Sequence, residues 1–200
     1  YFTHEGYVEI NKLSDFDTVK SESKILCNLS IAPKQIVSDG VVKKESFENI
    51  VKVALDYLSQ DENGFLLMAE GAHIDHAGHS NNVDYLIREL LAFDEGVEAA
   101  LKWAKGRKDT VVITTADHET GDFHIYDGIT AENYCDMETN DGFIYDFKYF
   151  KWGSISHSDT NVGLYINGKS IDFSRYTESE RNDLIKNIKI FDIMKDLIYN

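Results

Sequence analysis

Apolar residues recur at the spacing of one helix face in two stretches of the chain. The first stretch follows Ser46, a residue type favoured at helix N-caps, and the second runs from Asn81 or Asn82 to Gly106. Apolar positions three and four residues apart predict amphipathic helices that each bury one side. The first stripe consists of Phe47, Ile50, Val51, Ala54, Leu55 and Leu58, and the second of Val83, Leu86, Leu90, Phe93, Val97, Leu101 and Ala104.

Short apolar runs predict strands between and after these helices. They occupy residues 65–69, 110–115 and 162–166, and the patch at 25–29 is a further candidate. A strand, a helix and a second strand joined by short connections favour a right-handed crossover and a parallel pair. We therefore expect an α/β fold with a mostly parallel sheet flanked by helices, in which residues 1–200 form a single domain.

The end of the chain predicts a third helix. Thr177 and Glu180 have the spacing of a capping box, which predicts that the helix begins there. Residues 124–156 show no strong period, and we expect a surface excursion with one hairpin around Gly142. Neither that segment nor residues 1–44 contains a motif that indicates a function. The expected buried stripe of the last helix consists of Leu184, Ile188, Phe191, Met194 and Ile198.

Carboxylates and imidazoles collect close to the predicted strands. Residues 70–79 contain two carboxylates and three imidazoles, Asp117 and His118 follow the second strand, and His157 precedes the third. Functional groups in open α/β sheets collect beyond the carboxyl ends of the strands. A parallel pair would therefore bring Glu70 and Asp117 to the same edge. The three stretches would then form one site.

One set of donors has the composition of a catalytic zinc site. Asp75 and His79 are four residues apart, so a helical or tightly turned segment would place them on one face. Together with His157 they supply one carboxylate and two imidazoles, three ligands that leave a zinc ion with an open position. Water bound at such a position can be activated near neutral pH.

The remaining donors favour two further cations. Asp117 and His118 give a second metal only two ligands, so a third must come from elsewhere. Glu70 alone suggests a hard ion such as Mg²⁺, which keeps several waters and binds few protein carboxylates. Two zinc ions about 4 Å apart would clamp the attacking and leaving oxygens of an in-line phosphoryl displacement.

Three ordered motifs carry a resemblance to a known family. They are E-G-x-x-I-D-H-x-x-H at residues 70–79, T-A-D-H-E-T-G at 115–121 and S-H-S-x-x-x-V at 156–162. In order and approximate spacing this series resembles the metal-ligand series of the alkaline phosphatases, over a match from about residue 46 to the end. By similarity, the first zinc site takes Asp75, His79 and His157, the second takes Asp117 and His118, and the magnesium site takes Glu70.

The resemblance implies the C-terminal part of an alkaline-phosphatase-like catalytic domain. Such an enzyme hydrolyses phosphate monoesters through a phosphoseryl intermediate, uses two zinc ions and one magnesium ion, forms a homodimer and is commonly periplasmic or extracellular. In that family a Ser that follows an Asp is the nucleophile and an Arg grips the phosphate, both in the N-terminal half. This chain contains no Asp-Ser pair, and none of its four arginines lies in a matching motif. We therefore expect no catalytic nucleophile in this chain and no activity from it alone.

The first motif departs from the pattern of the bacterial members at one position. His76 follows the first ligand Asp, where that pattern has Lys. His76 is a candidate phosphate contact through water, or a group that tunes the magnesium site, and the alternative is a solvent-facing histidine. In the second motif, residues 119–121 are interpreted as turn formers that close the loop behind Asp117, and a role for Thr120 at the site is the alternative.

Composition narrows the classes of partner. Twenty basic and 35 acidic side chains give a net charge of −15, which disfavours nucleic acid and anionic membrane surfaces. No apolar run approaches the length of a membrane span, and the start at Tyr1 shows no signal peptide. Cys27 and Cys135 do not form a metal-spaced pair, and two cysteines alone do not indicate a disulfide framework.

Two other functions fit parts of this pattern. A phosphodiesterase, sulfatase-like hydrolase or phosphomutase has a similar two-metal scaffold with a different nucleophile or pocket, although E-G-x-x-I-D favours the monoesterase. A metal-binding module without catalysis is the alternative from another class. The sequence upstream of Tyr1 would discriminate between these functions, because it would show whether Asp-Ser, Thr or no nucleophile is present.

Overall fold

The computed structural model describes residues 6–19, 23–27, 29, 46–128, 139–140, 143–144, 149–177 and 185–199. Residues 139–140 and 143–144 are described by their backbone alone. Cys135, Leu184 and the capping-box residue Glu180 lie outside these ranges.

The two helices predicted after Ser46 and after Asn81 or Asn82 follow the apolar periodicity and begin at side-chain caps. Ser46 accepts a hydrogen bond from the Asn49 amide (3.2 Å), and Asn82 accepts one from the Tyr85 amide (3.0 Å). Both bonds satisfy amides that a first helical turn leaves without a partner, and both predicted helices are confirmed. Over the described ranges, every helix is too short or too polar to cross a membrane. The helices are α1 Phe47–Leu58, α2 His73–His79, α3 Val83–Ala104 and α4 Lys189–Tyr199, with 3-10 helices at Leu13–Thr18 and Phe173–Arg175.

The strands are short and pair two by two. They are β1 Tyr7–Ile10, β2 Lys24–Cys27, β3 Val112–Thr115, β4 Glu119–Thr120, β5 Phe123–Ile125, β6 Thr139–Asn140, β7 Phe143–Ile144, β8 Phe150–Trp152, β9 His157–Ser158 and β10 Leu164–Asn167. β1 and β2 are parallel, whereas β3 with β10, β4 with β9, β5 with β8 and β6 with β7 are antiparallel. The β6–β7 pair confirms the predicted hairpin. A mostly parallel sheet is not confirmed among the described strands.

Residues 65–69 do not form the predicted strand. They have no regular secondary structure and pair with none of the described strands. A strand needs a neighbour that satisfies its backbone N–H and C=O groups, and the described strands provide none for this segment. Leu66 is 65% and Met68 is 85% exposed, whereas Leu67 packs against Val51, Leu55 and Ala99. The expected parallel pair with residues 110–115 is therefore wrong for the described chain, where β3 pairs instead with β10.

The terminal helix buries a different face from the predicted one. The described helix α4 begins at Lys189, and its most buried residue is Ile193 at 1% exposure, whereas residues 178–184, which follow the predicted cap at Thr177, lie outside the described ranges. Three residues of the predicted stripe are at least 62% exposed, namely Ile188, Phe191 and Ile198. The face turned inward consists of Ile190, Ile193, Met194 and Leu197. Because this segment carries apolar residues on two sides, its periodicity fits either face, and packing decided between them.

The described core has two centres that anchor α3 at both ends. Val51 and Leu55 of α1 pack with Ala99 of α3, and all three are at most 7% exposed. At the start of α3, Val83 packs against Phe150 of β8. Both ends of α3 are therefore held by the core. α2, which carries two of the predicted ligands, directly precedes α3 in the chain.

We expect the substitution Gly96→Ala to destabilise the protein. A Cβ at position 96 would lie 2.4 Å from Cδ1 of Phe47, so α1 and α3 would be forced apart. The helix-propensity gain of about 1 kcal/mol is smaller than the roughly 1–3 kcal/mol cost of overpacking. Urea unfolding should therefore show a lower free energy of unfolding. Asp94→Ala, at an exposed position of α3, is the control, and equal stability of the two variants would contradict the close packing.

Candidate metal centre

Helix α2 and the β4–β9 pair bring the predicted ligands together. Asp75 and His79 lie on α2, His157 lies on β9, and His118 directly precedes β4. The strand register places His157 opposite Thr120. α2 approaches β4 closely at Gly78, where a Cβ would lie 2.8 Å from the carbonyl oxygen of Thr120. The glycine therefore permits the contact that sets the helix against the strand pair.

Three donor atoms form a tight triangle at this junction. Oδ1 of Asp75 lies 3.4 Å from Nε2 of His79 and 3.4 Å from Nε2 of His157. The two nitrogens are 3.1 Å apart. Ligand atoms at zinc-bonding distance and tetrahedral angles lie about 3.3 Å from one another. The three side chains therefore fit one face of a zinc coordination tetrahedron, with the fourth position open.

A backbone carbonyl orients the imidazole of His79. Nδ1 of this ring lies 2.7 Å from the carbonyl oxygen of Ile155, just before β9. A carbonyl oxygen only accepts hydrogen bonds, so Nδ1 carries the proton and donates it. Nε2 then keeps its lone pair, and it faces Asp75 and His157. This arrangement is common for histidines that bind metals.

His118 lies against the same triangle. Its ring stacks on that of His157 with centroids 3.5 Å apart. One donor atom each of Asp75, His118 and His157 lie within 4.8 Å of one another. Nε2 of His118 is 3.3 Å from Oδ2 of Asp117, a separation that suits two ligands of one further cation. The Asp117 side chain is 84% exposed, while its carbonyl oxygen accepts a hydrogen bond from Asn187 (3.2 Å).

The Asp75 carboxylate is held in its charged form by its neighbours. Partial burial by itself raises the pKa of this carboxyl. A hydrogen bond from Thr120 and the imidazoles of His79, His157 and His118 outweigh burial, so the pKa lies below its ordinary value. A charged carboxylate is the form that binds a cation.

Glu70 and His76 lie outside this cluster. Glu70 precedes α2, is exposed and is not among the donors that converge on Asp75. His76 is exposed on α2, and its ring stacks on that of His73 at 5.4 Å. The ring of His73 in turn lies 3.7 Å from a carboxylate oxygen of Glu89 on α3. Among the described residues, the cluster therefore consists of Asp75, His79, His118 and His157. Asp117 lies at its edge, next to His118.

Sequence reasoning interpreted residues 119–121 as turn formers and left a site role open for Thr120, and the structure shows polar contacts for both Glu119 and Thr120. Glu119 accepts hydrogen bonds from the Ser158 hydroxyl and from the Phe123 amide, which fastens β4 to β9. Thr120 donates a hydrogen bond to Asp75. The signal in the sequence is the T-G that follows Asp-His-Glu, and it does not distinguish a turn from a polar contact.

The family model for alkaline phosphatase matches residues 31–190. This chain belongs to the alkaline phosphatase family. The resemblance inferred from the three motifs is confirmed, and the helices with short strands described above are consistent with the α/β class of that family.

Several alkaline phosphatases are similar to parts of this chain. The repressible alkaline phosphatase of Saccharomyces cerevisiae is 33% identical over 160 residues, which cover 76% of this chain and 26% of the yeast protein. Alkaline phosphatase 3 of Bacillus subtilis is 33% identical over 59% of this chain and 28% of that protein. The alkaline phosphatase of Escherichia coli is 46% identical over 32% of this chain and 14% of that protein. The chain thus spans about a quarter or less of the length of these relatives.

Solved alkaline phosphatases share the fold. The cold-active enzyme of a psychrophilic Shewanella species superposes with a TM-score of 0.63 at 21% identity, over 84% of this chain and 55% of that one. The enzyme of the Antarctic bacterium TAB5 gives a TM-score of 0.60 at 26% identity, over 84% of this chain and 46% of that one. A variant of the TAB5 enzyme was solved with magnesium bound.

We expect Gly78→Ala to lower the free energy of unfolding, because it overpacks the junction of α2 and β4. The added Cβ would meet the carbonyl oxygen of Thr120 at 2.8 Å and its Cβ at 2.9 Å, and the strand backbone cannot rotate away. The overpacking cost of roughly 1–3 kcal/mol exceeds the propensity gain of about 1 kcal/mol. Urea unfolding in the presence of a chelator should show the loss. His76→Ala, at an exposed position of α2, should leave stability nearly unchanged, and a Gly78→Ala variant that matches it would refute the close approach.

Proposed function

We propose that this chain serves in a phosphomonoesterase of the alkaline phosphatase type and supplies most of its metal ligands. In this proposal it is the C-terminal part of one catalytic domain, residues 1–200. The whole enzyme hydrolyses phosphate monoesters through a phosphoseryl intermediate, and the nucleophile comes from outside this chain. The observation that carries the proposal is the triangle of donor atoms from Asp75, His79 and His157 in a chain of this family.

Each proposed cation has its own residues. Asp75, His79 and His157 would hold the first zinc ion. Asp117 and His118 would hold the second together with a ligand from elsewhere. The chemistry that zinc supplies when bound at such a site is polarisation of phosphoryl oxygen and activation of an oxygen nucleophile near neutral pH. Glu70 is proposed for Mg²⁺, and its exposed carboxylate before α2 leaves room for the waters that this ion keeps.

The chain's own residues prepare the site before any cation binds. The Ile155 carbonyl holds the His79 ring with Nε2 toward the triangle (2.7 Å at Nδ1). Stacking on His118 fixes the plane of the His157 ring. His76, exposed on the same helix, is proposed as a phosphate contact through water. Ligands oriented in this way bind a cation without the cost of rearranging their rings.

Assembly and location follow the family in this proposal. We infer a homodimer and a periplasmic or extracellular enzyme. The net charge of −15 supports small phosphate monoesters as substrates over nucleic acid, because an acidic surface repels a polyanion more strongly than a small ester.

Zinc titration of the 200-residue chain tests the first zinc site. Competition with a chromophoric chelator should show zinc binding in the wild-type chain, and His79→Ala should weaken it by at least about 100-fold. Loss of a residue that only supports a ligand already costs about 10–100-fold, and His79 is proposed as a ligand itself. The midpoint of thermal unfolding should rise with zinc in the wild-type chain and not in the variant.

The matched control is His124→Ala. His124 is exposed and pairs with Asp122 (2.9 Å) away from the triangle, so this variant should bind zinc as the wild type does. Equal zinc affinity of the His79→Ala and His124→Ala variants would refute the proposed ligand set.

A further inference from the structure

We propose that Thr120 is a positioning residue whose single hydroxyl ties the first proposed zinc site to the second. The inference rests on the proposed function, since Asp75 belongs to the first ligand set and His118 to the second. It adds a residue that makes no contact with the metals and acts through their ligands.

The hydrogen bonds of this hydroxyl run in one direction. Oγ1 of Thr120 lies 2.6 Å from Oδ1 of Asp75, and a charged carboxylate only accepts, so the hydroxyl proton points there. Nδ1 of His118 lies 3.2 Å from the same Oγ1. With its one proton already donated, Oγ1 can only accept from the imidazole. Nδ1 of His118 therefore carries a proton.

This direction fixes the binding nitrogen of His118. In the neutral ring, a proton on Nδ1 leaves the lone pair on Nε2, the atom that lies 3.3 Å from Oδ2 of Asp117. The same hydroxyl also holds Oδ1 of Asp75, the oxygen that lies 3.4 Å from both His79 and His157. One group thus sets a carboxylate oxygen in the first ligand set and a histidine tautomer in the second.

The position of the hydroxyl is itself determined by the backbone. Thr120 pairs with His157 across the β4–β9 ladder, and its carbonyl oxygen and Cβ lie against Gly78 of α2. The neighbouring contact of Glu119 with Ser158 fastens the same two strands. Thr120 is half-buried between them. The hydroxyl is therefore placed by strand pairing and helix contact, and does not depend on a free surface rotamer.

Two substitutions separate the hydroxyl from the shape of the side chain. Thr120→Val keeps the branched shape and removes both hydrogen bonds, whereas Thr120→Ser keeps the hydroxyl. We expect Thr120→Val to weaken zinc binding by about 10–100-fold, as for other groups that orient metal ligands. Thr120→Ser should restore the affinity to within about threefold of the wild type. Thr110→Val, which removes a hydroxyl bonded to Asp109, is the matched control and should bind zinc as the wild type does.

A second measurement needs no metal. Long-range nitrogen–proton NMR spectra of the metal-free chain report which ring nitrogen of each histidine is protonated. The wild type and Thr120→Ser should show His118 protonated at Nδ1, and Thr120→Val should show a mixture of tautomers. A purely structural role would change the unfolding midpoint without changing this signature. Thr120→Ala serves as a second variant if Thr120→Val does not fold by circular dichroism.

The outcomes separate this inference from the proposed function. Thr120→Val with wild-type zinc affinity and an unchanged His118 tautomer overturns the positioning role. Thr120→Ser that behaves like Thr120→Val in both measurements overturns it as well. If the wild-type chain binds no zinc, the proposed function fails, while the tautomer comparison in the metal-free chain still decides whether Thr120 orients His118.

Discussion

The pairing of two very short strands, β4 and β9, is the constraint on which the candidate metal centre depends. It places Thr120 opposite His157 and thereby brings together residues that are 37 positions apart along the chain. Two residues in each strand make a weak ladder on their own. Additional contacts stabilise the pair, because Glu119 binds Ser158 across it and α2 packs onto β4 at a glycine. Without this junction, Asp75 and His79 on α2 would lie apart from His118 and His157.

The charge and the lone pairs of the cluster favour the binding of a cation. One carboxylate lies at the centre of several imidazoles, and each ring that is oriented by a partner presents an unprotonated nitrogen inward. The Ile155 carbonyl does this for His79, and we infer that the Thr120 hydroxyl does it for His118. Neutral imidazoles with fixed tautomers and a charged carboxylate are the state that metal binding requires. The chain therefore prepares its donors with hydrogen bonds that lie one step away from the cation position.

The chain covers only part of the length of its alkaline phosphatase relatives. The chain spans about a quarter of the yeast and Bacillus subtilis relatives and about half of the solved structures it resembles. In the proposed assignment, its donors form one three-ligand zinc set and one partial set, and Glu70 is a single carboxylate. The apolar segment at residues 65–69 has the composition of a strand but pairs with none of the described strands. Isolated apolar runs do not form ladders, whatever their composition.

The sequence alone determined the helices α1 and α3, their caps, the family and the identity of the donor residues. These features are local: a capping side chain, a period of three and four, and motifs with fixed spacing. Only the tertiary structure decided which donors meet, that residues 65–69 pair with none of the described strands, that α4 turns Ile193 inward, and that Thr120 binds Asp75. These features depend on contacts between residues that are distant in the chain: strand register, the choice between two apolar faces and the direction of a hydroxyl. The spacing of residues along the sequence does not predict such contacts.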